Sequence, residues 1–217
     1  MPLRAPACNM AQPDTIDDRA VGDDMGLPLV VGISGASGVV YGVRLLELLK
    51  AAGVPAHLIV SRSAVQTLKE ETDWTVEAVR ALAEVSYSNS DMGAAISSGS
   101  FKTRGMIVIP CSVRSLADVA HGGGDSLIGR AADVTLKERR RLVLVVRETP
   151  LHAGHIRSML AATENGAIVM PPVPAFYARP QSVNDIVDQT AGRALDLFDI
   201  DPGIVKRWRA EPAAKSE

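Results

Sequence analysis

The sequence predicts a single α/β domain, doubly wound in the Rossmann-like (flavodoxin-like) manner around a mostly parallel sheet. Two observations carry that expectation. Five short runs, "LPLVVGIS" (27–34), "AHLIVS" (56–61), "GMIVIP" (105–110), "RLVLVV" (141–146) and "GAIVMPP" (166–172), are apolar almost throughout instead of alternating with polar residues. Strands covered on both faces read this way, whereas a half-exposed strand alternates. Longer amphipathic stretches separate the runs, as a sheet covered by helices on both sides requires.

Taken in order, residues 1–26 carry Asp14, Asp17, Asp18, Asp23 and Asp24 with little that is apolar. Such a segment cannot repay the entropy of ordering, and it reads as a flexible tail. The folded domain is expected over 27–210, with a short C-terminal tail at 211–217. The first run passes through "GISGASG" into a helix, "VVYGVRLLELLKAAG" (39–53). Further runs alternate with helical stretches, among them "SLIGRAADVTLKERR" (126–140). A Pro-rich loop, "PPVPAFYARPQS" (171–182), leads to the last helix, "VNDIVDQTAGRALDLF" (183–198). Neither an internal repeat nor a second core is visible.

Of the 217 residues, 47% are hydrophobic and 22% charged, ordinary values for a globular chain. The formal net charge of −2 gives no basic field to attract nucleic acid or an anionic membrane surface. No apolar run approaches the roughly 18 residues of a membrane span, and the first residues lack the apolar stretch of a signal peptide. Two cysteines, Cys8 and Cys111, form neither a disulfide framework nor a zinc quartet. A reducing, cytoplasmic setting is expected.

In a doubly wound sheet, ligands sit beyond the carboxyl ends of the strands. The residues there are "SGASG", "SRSA", "PCSVRS", "RETP" and "PPVPAFY". The glycines at 32, 35 and 38 match neither the dinucleotide fingerprint nor the P-loop. What remains is a tight turn entering a helix, where free backbone N–H groups favour an anion, with Ser34 and Ser37 as further donors. The alternative is a glycine-rich turn with Ser37 capping the helix. "SSGSF" (97–101) and "PCSVRSL" (110–116) supply more small donors, or else a solvated loop and a helix cap. Cys111 has no partner for a reactive thiol nearby in sequence and reads as a small buried hydrophobe.

Most charges of "LKERRRLVLVVRETP" read as a solvated helix end, Lys137 being the one considered for a site. Arg147 and Glu148 differ because they follow an apolar run and so stand at the ligand-facing end of a strand. A guanidinium there can grip phosphate and a carboxyl can trade a proton, with a structural ion pair as the competing reading. His152 and His155 lack a third ligand at zinc spacing and read as a helix cap and a packing residue. Trp74 and Trp208 stand near helix ends, with no pattern to assign them a role.

Together these motifs resemble the flavin prenyltransferases of the ubiquinone and phenolic-acid decarboxylase systems, within the wider flavoprotein family that includes cysteine decarboxylases. The resemblance runs from about residue 28 to about 208 through "GISGASGVVYGVRLL", "EETDW", "SSGSF", "PCS", "RAADVTLKERR", "RETPLHAGH", "PPVPAFYARPQS" and the terminal "RW". It implies a Rossmann-like flavoprotein domain that binds FMN, assembled as a homo-oligomer, typically a dodecamer. It places Gly35, Ala36, Ser37, Ser61, Ser112, Val113, Arg114, Ser115 and Arg147 at the flavin. Lys137, Tyr177 and Arg193 fall at the phosphate of dimethylallyl phosphate, with Glu148 beside it and Glu71 close by, from the same chain or from a neighbouring subunit. Glu148, Ser37 and Lys137 are the implied catalytic positions.

The implied reaction joins a dimethylallyl group to N5 and C6 of reduced FMN and releases phosphate without a metal. Its product serves a separate UbiD-like decarboxylase. No Asp-rich pair that would hold Mg²⁺ on a diphosphate is visible, so cations and hydroxyls are expected to stabilise the leaving phosphate. The chain departs from the pattern at Arg114 and Ser115, where relatives often carry Lys and Thr. The "PASANT" signature of the cysteine decarboxylases is absent, which argues against direct decarboxylation. An FMN-dependent aromatic acid decarboxylase and a non-catalytic flavin carrier remain the rival expectations.

Overall fold

In the computed structural model, residues 26–209 are described; the tails expected at 1–26 and 211–217 lie outside them, Gly26 apart. The apolar runs become strands of one sheet: β1 (Leu29–Ile33), β2 (Ala56–Val60), β3 (Val85–Ser88), β4 (Gly105–Cys111), β5 (Arg141–Val146) and β6 (Ile168–Val169). All neighbours pair in parallel, in the order β3-β2-β1-β4-β5-β6. The connecting stretches form α1 (Val39–Ala51), α2 (Arg62–Glu71), α3 (Val76–Arg80), α4 (Val113–His121), α5 (Leu127–Lys137), α6 (Ala153–Glu164) and α7 (Val183–Asp196).

Each face of the sheet has its own core. Leu29, Val31 and Ile33 of β1 pack with Val39, Val43 and Leu46 of α1 and with Ala191 and Leu195 of α7. Val30 faces the other way, among Met106, Val108, Leu116 and Ile128. Every residue of β1, β2 and β4 is buried, which is why these runs carry no polar alternation. Each fully buried Leu, Ile or Val is worth about 1.5–3 kcal/mol over leaving it in water.

β3 is not among the five apolar runs. Its sequence "VSYS" alternates half-buried with exposed positions, because it is an edge strand and only Val85 and Tyr87 turn inward. The Tyr87 hydroxyl meets Nδ1 of the buried His57 at 3.1 Å, and Phe101 stacks on the same imidazole with ring centroids 5.4 Å apart.

The chain steps outward from β1 to β2 and β3, then returns to the other side of β1 through β4, β5 and β6. The carboxyl ends of β1 and β4 therefore flank a topological switch point, where the following turns diverge and leave a crevice. α1 starts at Gly38, whose φ of 92° would strain a residue with a side chain. α7 starts on a full capping box between Ser182 and Asp185. Among the described residues no helix is long and apolar enough to cross a membrane.

Candidate active site

The crevice at the switch point has two lobes of about 450 and 370 Å³ that meet at Ser37, Arg147 and Glu148. Each lobe alone has the capacity of a small-ligand site. One is walled by Gly35, Ala36, Ser63, Ser112, Val113 and Arg114, and the other by Tyr41, Glu71, Val146, Pro172, Val173 and Val187. Three stretches expected at the ligand thus converge: the residues after β1, those after β4, and the Arg147–Glu148 pair after β5.

Ser34, contrary to expectation, is not a ligand donor. It is buried, donates its hydroxyl to the Pro110 carbonyl at 2.9 Å and accepts the Ser112 N–H at 2.7 Å. Its work is to pin the turn after β1 to the turn after β4. Ser37 caps nothing either; the helix begins at Gly38 without a side-chain cap, and Ser37 stays exposed to the crevice. Ser61 and Ser112 cap α2 and α4, accepting the N–H groups of Ala64 at 3.1 Å and Ser115 at 3.2 Å. Ser115 Oγ lies 3.1 Å from Ser112 Oγ.

The helix dipole of α1 is answered from within the chain. Oε2 of Glu71, at the end of α2, accepts the N–H of Gly38 at 2.7 Å and of Val39 at 3.4 Å. Glu71 thus belongs to the same chain's crevice, and two of the donors expected for an anion are taken by its carboxylate. The N–H groups of Gly35 and Ser37 have no hydrogen-bond partner among the described residues. The turn also approaches α2 closely: a Cβ on Gly35 would stand 2.3 Å from Ser63 Oγ and 2.4 Å from its Cβ. Ser63, which the sequence offers only as part of "SRSA", lines this wall.

Arg147 and Glu148 do not form the competing ion pair. Oε1 of Glu148 accepts the Thr149 N–H at 3.0 Å, and the Arg147 guanidinium has no hydrogen-bond or ion-pair partner among the described residues. Arg147 lies close enough to Tyr41 to favour its phenolate, although burial dominates and holds the phenol above its usual range. Cys111 is fully buried, and desolvation, aided by the charge of Asp118, pushes its thiol up to about 12. It cannot serve as a thiolate nucleophile. His152 caps α6 by accepting the Gly154 N–H at 3.0 Å, and the His155 ring lies tilted against it with ring centroids 3.6 Å apart.

Three expected positions lie elsewhere in the chain. Lys137 ends α5 at the opposite, amino-terminal edge of the sheet, beyond the six-residue β5, a span of about 20 Å. There it pairs with Glu138 beside Gly99. "SSGSF" packs beneath the same helix, where its Gly99 and Phe101 carbonyls hold Arg140 at 2.8 and 2.7 Å. It is not part of the carboxyl-edge crevice. Tyr177 and Arg193 form a third cluster, on the outer side of α7. The Tyr177 hydroxyl bonds Gln189 at 3.3 Å, its ring meets Trp208 edge-on at 5.6 Å, and Arg193 pairs with Asp196.

A crevice at the switch point, small residues on its floor, and turn N–H groups and an arginine that have no partner among the described residues form a receptor for a phosphorylated planar ligand. The sequence matches the Flavoprotein family over residues 19–195. Flavin prenyltransferase UbiX of Escherichia coli strain K12 is 54% identical over 184 residues, covering 83% of this chain and 97% of that protein. The chain belongs to the flavin prenyltransferase family. Among solved structures, AnUbiX (PadA1) in complex with FMN and dimethylallyl pyrophosphate superposes with a TM-score of 0.83 at 50% identity, covering 84% of this chain and 97% of that one. A dodecameric FMN-dependent UbiX-like decarboxylase from Escherichia coli O157:H7 gives 0.82 at 47% identity, covering 84% and 99%. The flavin prenyltransferase fold is thus the one described above, and FMN fits the crevice by the chemistry of its donors.

Proposed function

We propose that this chain transfers a dimethylallyl group from dimethylallyl phosphate to N5 and C6 of reduced FMN, producing prenylated FMN for a separate UbiD-like decarboxylase. The observation that carries the proposal is the meeting of Arg147, Glu148 and the Gly35–Ser37 turn in one crevice of a chain from this family. FMN, when bound and reduced, supplies the nucleophilic nitrogen and carbon.

Everything else falls to the protein. Gly35, Ala36 and Ser37, with Ser61, Ser112, Val113, Arg114, Ser115 and Arg147, hold the flavin in the crevice. Lys137, Tyr177 and Arg193 bind the prenyl phosphate and stabilise the charge that grows on it as it leaves. Glu148 moves a proton through Oε2, the carboxyl oxygen that the Thr149 N–H leaves free. Glu71 sits at the mouth of α1 and orders the turn. Because Lys137 lies about 20 Å from Glu148 along β5, the assembled site takes its phosphate-binding groups from neighbouring copies.

The test is incubation of FMN-loaded protein with dithionite and dimethylallyl phosphate under anaerobic conditions, followed by mass analysis of the released flavin. Prenylated FMN is expected. Carbon dioxide release from an aromatic acid by this protein alone would support a decarboxylase instead.

A further inference from the structure

Gln189 is 6% exposed, on the side of α7 turned away from the sheet, where the 204–208 segment covers it. A side-chain amide in that position must find partners for two N–H groups and an oxygen. It finds all three. Its Oε1 accepts the Lys206 N–H at 2.9 Å, while its Nε2 donates to the Lys206 carbonyl at 3.0 Å and to the Tyr177 hydroxyl oxygen at 3.3 Å. The Lys206 backbone also fixes which end is which, since its N–H only donates and its carbonyl only accepts.

We infer that Gln189 is a positioning residue, one that makes Tyr177 a hydrogen-bond donor toward the prenyl phosphate and clamps the 204–208 segment against α7. The inference rests on the proposed role of Tyr177 as a phosphate ligand. A phenol carries one proton and accepts through its oxygen. Because the amide N–H is spent on that oxygen, and Oε1 is occupied by Lys206, Gln189 offers the phenol no acceptor. The Tyr177 proton therefore stays available for an anion.

The same amide organises its surroundings. Lys206 Nζ reaches the Ala178 carbonyl at 3.2 Å, and Trp208 rests its ring against Tyr177. Arg207 grips both oxygens of Asp196, at 2.9 and 3.0 Å, and Asp196 is the partner of Arg193. Arg193 follows Gln189 by one helical turn, on the same face. One buried amide thus sets the polarity of Tyr177 and the place of the segment that flanks Arg193.

Gln189→Glu keeps the shape but replaces donors by acceptors, so the Tyr177 proton turns inward. The KM for dimethylallyl phosphate is measured on FMN-loaded enzyme in the parent and Tyr177→Phe backgrounds. We expect a roughly three- to tenfold rise in the parent background, with flavin occupancy unchanged, and no further rise once the Tyr177 hydroxyl has been removed. An unchanged KM, or an equal rise in both backgrounds, overturns the inference. If the Glu variant does not fold, Gln189→Leu, which removes the amide's hold on the hydroxyl oxygen without offering an acceptor, is expected to raise KM less, and again only in the parent background; an equal rise in both backgrounds overturns the inference. A parent that prenylates no flavin refutes the functional proposal separately; the clamp is then read from tryptic cleavage after Lys206 and Arg207, expected faster in both variants, with equal rates overturning it.

Discussion

Arg147 and Glu148 are neighbours of opposite charge, yet each keeps a group free for a ligand. Glu148→Gln preserves size and hydrogen bonding and removes the exchangeable proton. Prenylation by this variant is expected to fall roughly 10²- to 10⁴-fold, with flavin occupancy unchanged in the purified protein. A parental rate would leave Glu148 without a catalytic task. His57 gives a pH prediction of a different kind. Burial holds its imidazole below the usual range, with the charge of Glu84 opposing. The unfolded chain takes up this proton near pH 6.5, the folded chain only at lower pH. Stability is therefore full above about 6.5 and declines as the pH falls toward the folded value. Thermal melts of His57→Gln should show a flatter decline between about pH 7 and 5 than the parent; parallel curves would contradict this assignment. Arg147 and Glu148 were legible in the sequence because their position follows from the end of an apolar run. Gln189 was not, since its partners, Tyr177 and Lys206, lie 12 and 17 residues away and are joined only by packing.

The turns after β1 and β4 work as one unit because Ser34 bonds to both Pro110 and Ser112. The crevice also depends on how closely α2 approaches Gly35. A Cβ at Gly35 meets Ser63 at its Cβ as well as its hydroxyl, so the start of α2 must move and not merely one rotamer. Gly35→Ala is expected to cost about 1–3 kcal/mol of stability and to weaken FMN retention. Denaturant unfolding and flavin absorbance check both, and a variant with parental flavin content would show that the turn tolerates displacement. Four strands could be read from apolar runs because double burial removes polar alternation, and the half-buried edge strand β6 because both of its residues are apolar. β3 could not, because at the sheet edge "VSYS" carries two exposed serines. The donor role expected for Ser34 failed for a related reason: a hydroxyl one residue past a buried strand can serve the fold as readily as a ligand, and only the Pro110 contact decides.

Within one chain the expected site divides among the carboxyl edge of the sheet, the end of α5 and the outer side of α7. Residue identity made these positions recognisable, but no local pattern reports that they lie apart, because that separation follows from the direction of α5 and β5. If Lys137 and Glu148 serve one site, two copies must supply them. Co-expression of Lys137→Ala with Glu148→Gln, each inactive alone, should then restore a fraction of the parental rate in mixed assemblies. No recovery would place both residues in the same chain's site or remove one from it. Light scattering is expected to report an oligomer, and a monomer with full activity would contradict shared sites. Prenyl transfer is tested most directly by the mass of flavin extracted after anaerobic incubation of the pure protein with reduced FMN and dimethylallyl phosphate. Prenyl transfer by this chain predicts a flavin heavier by one dimethylallyl-derived unit, whereas flavin of unchanged mass from folded, FMN-loaded protein would contradict it.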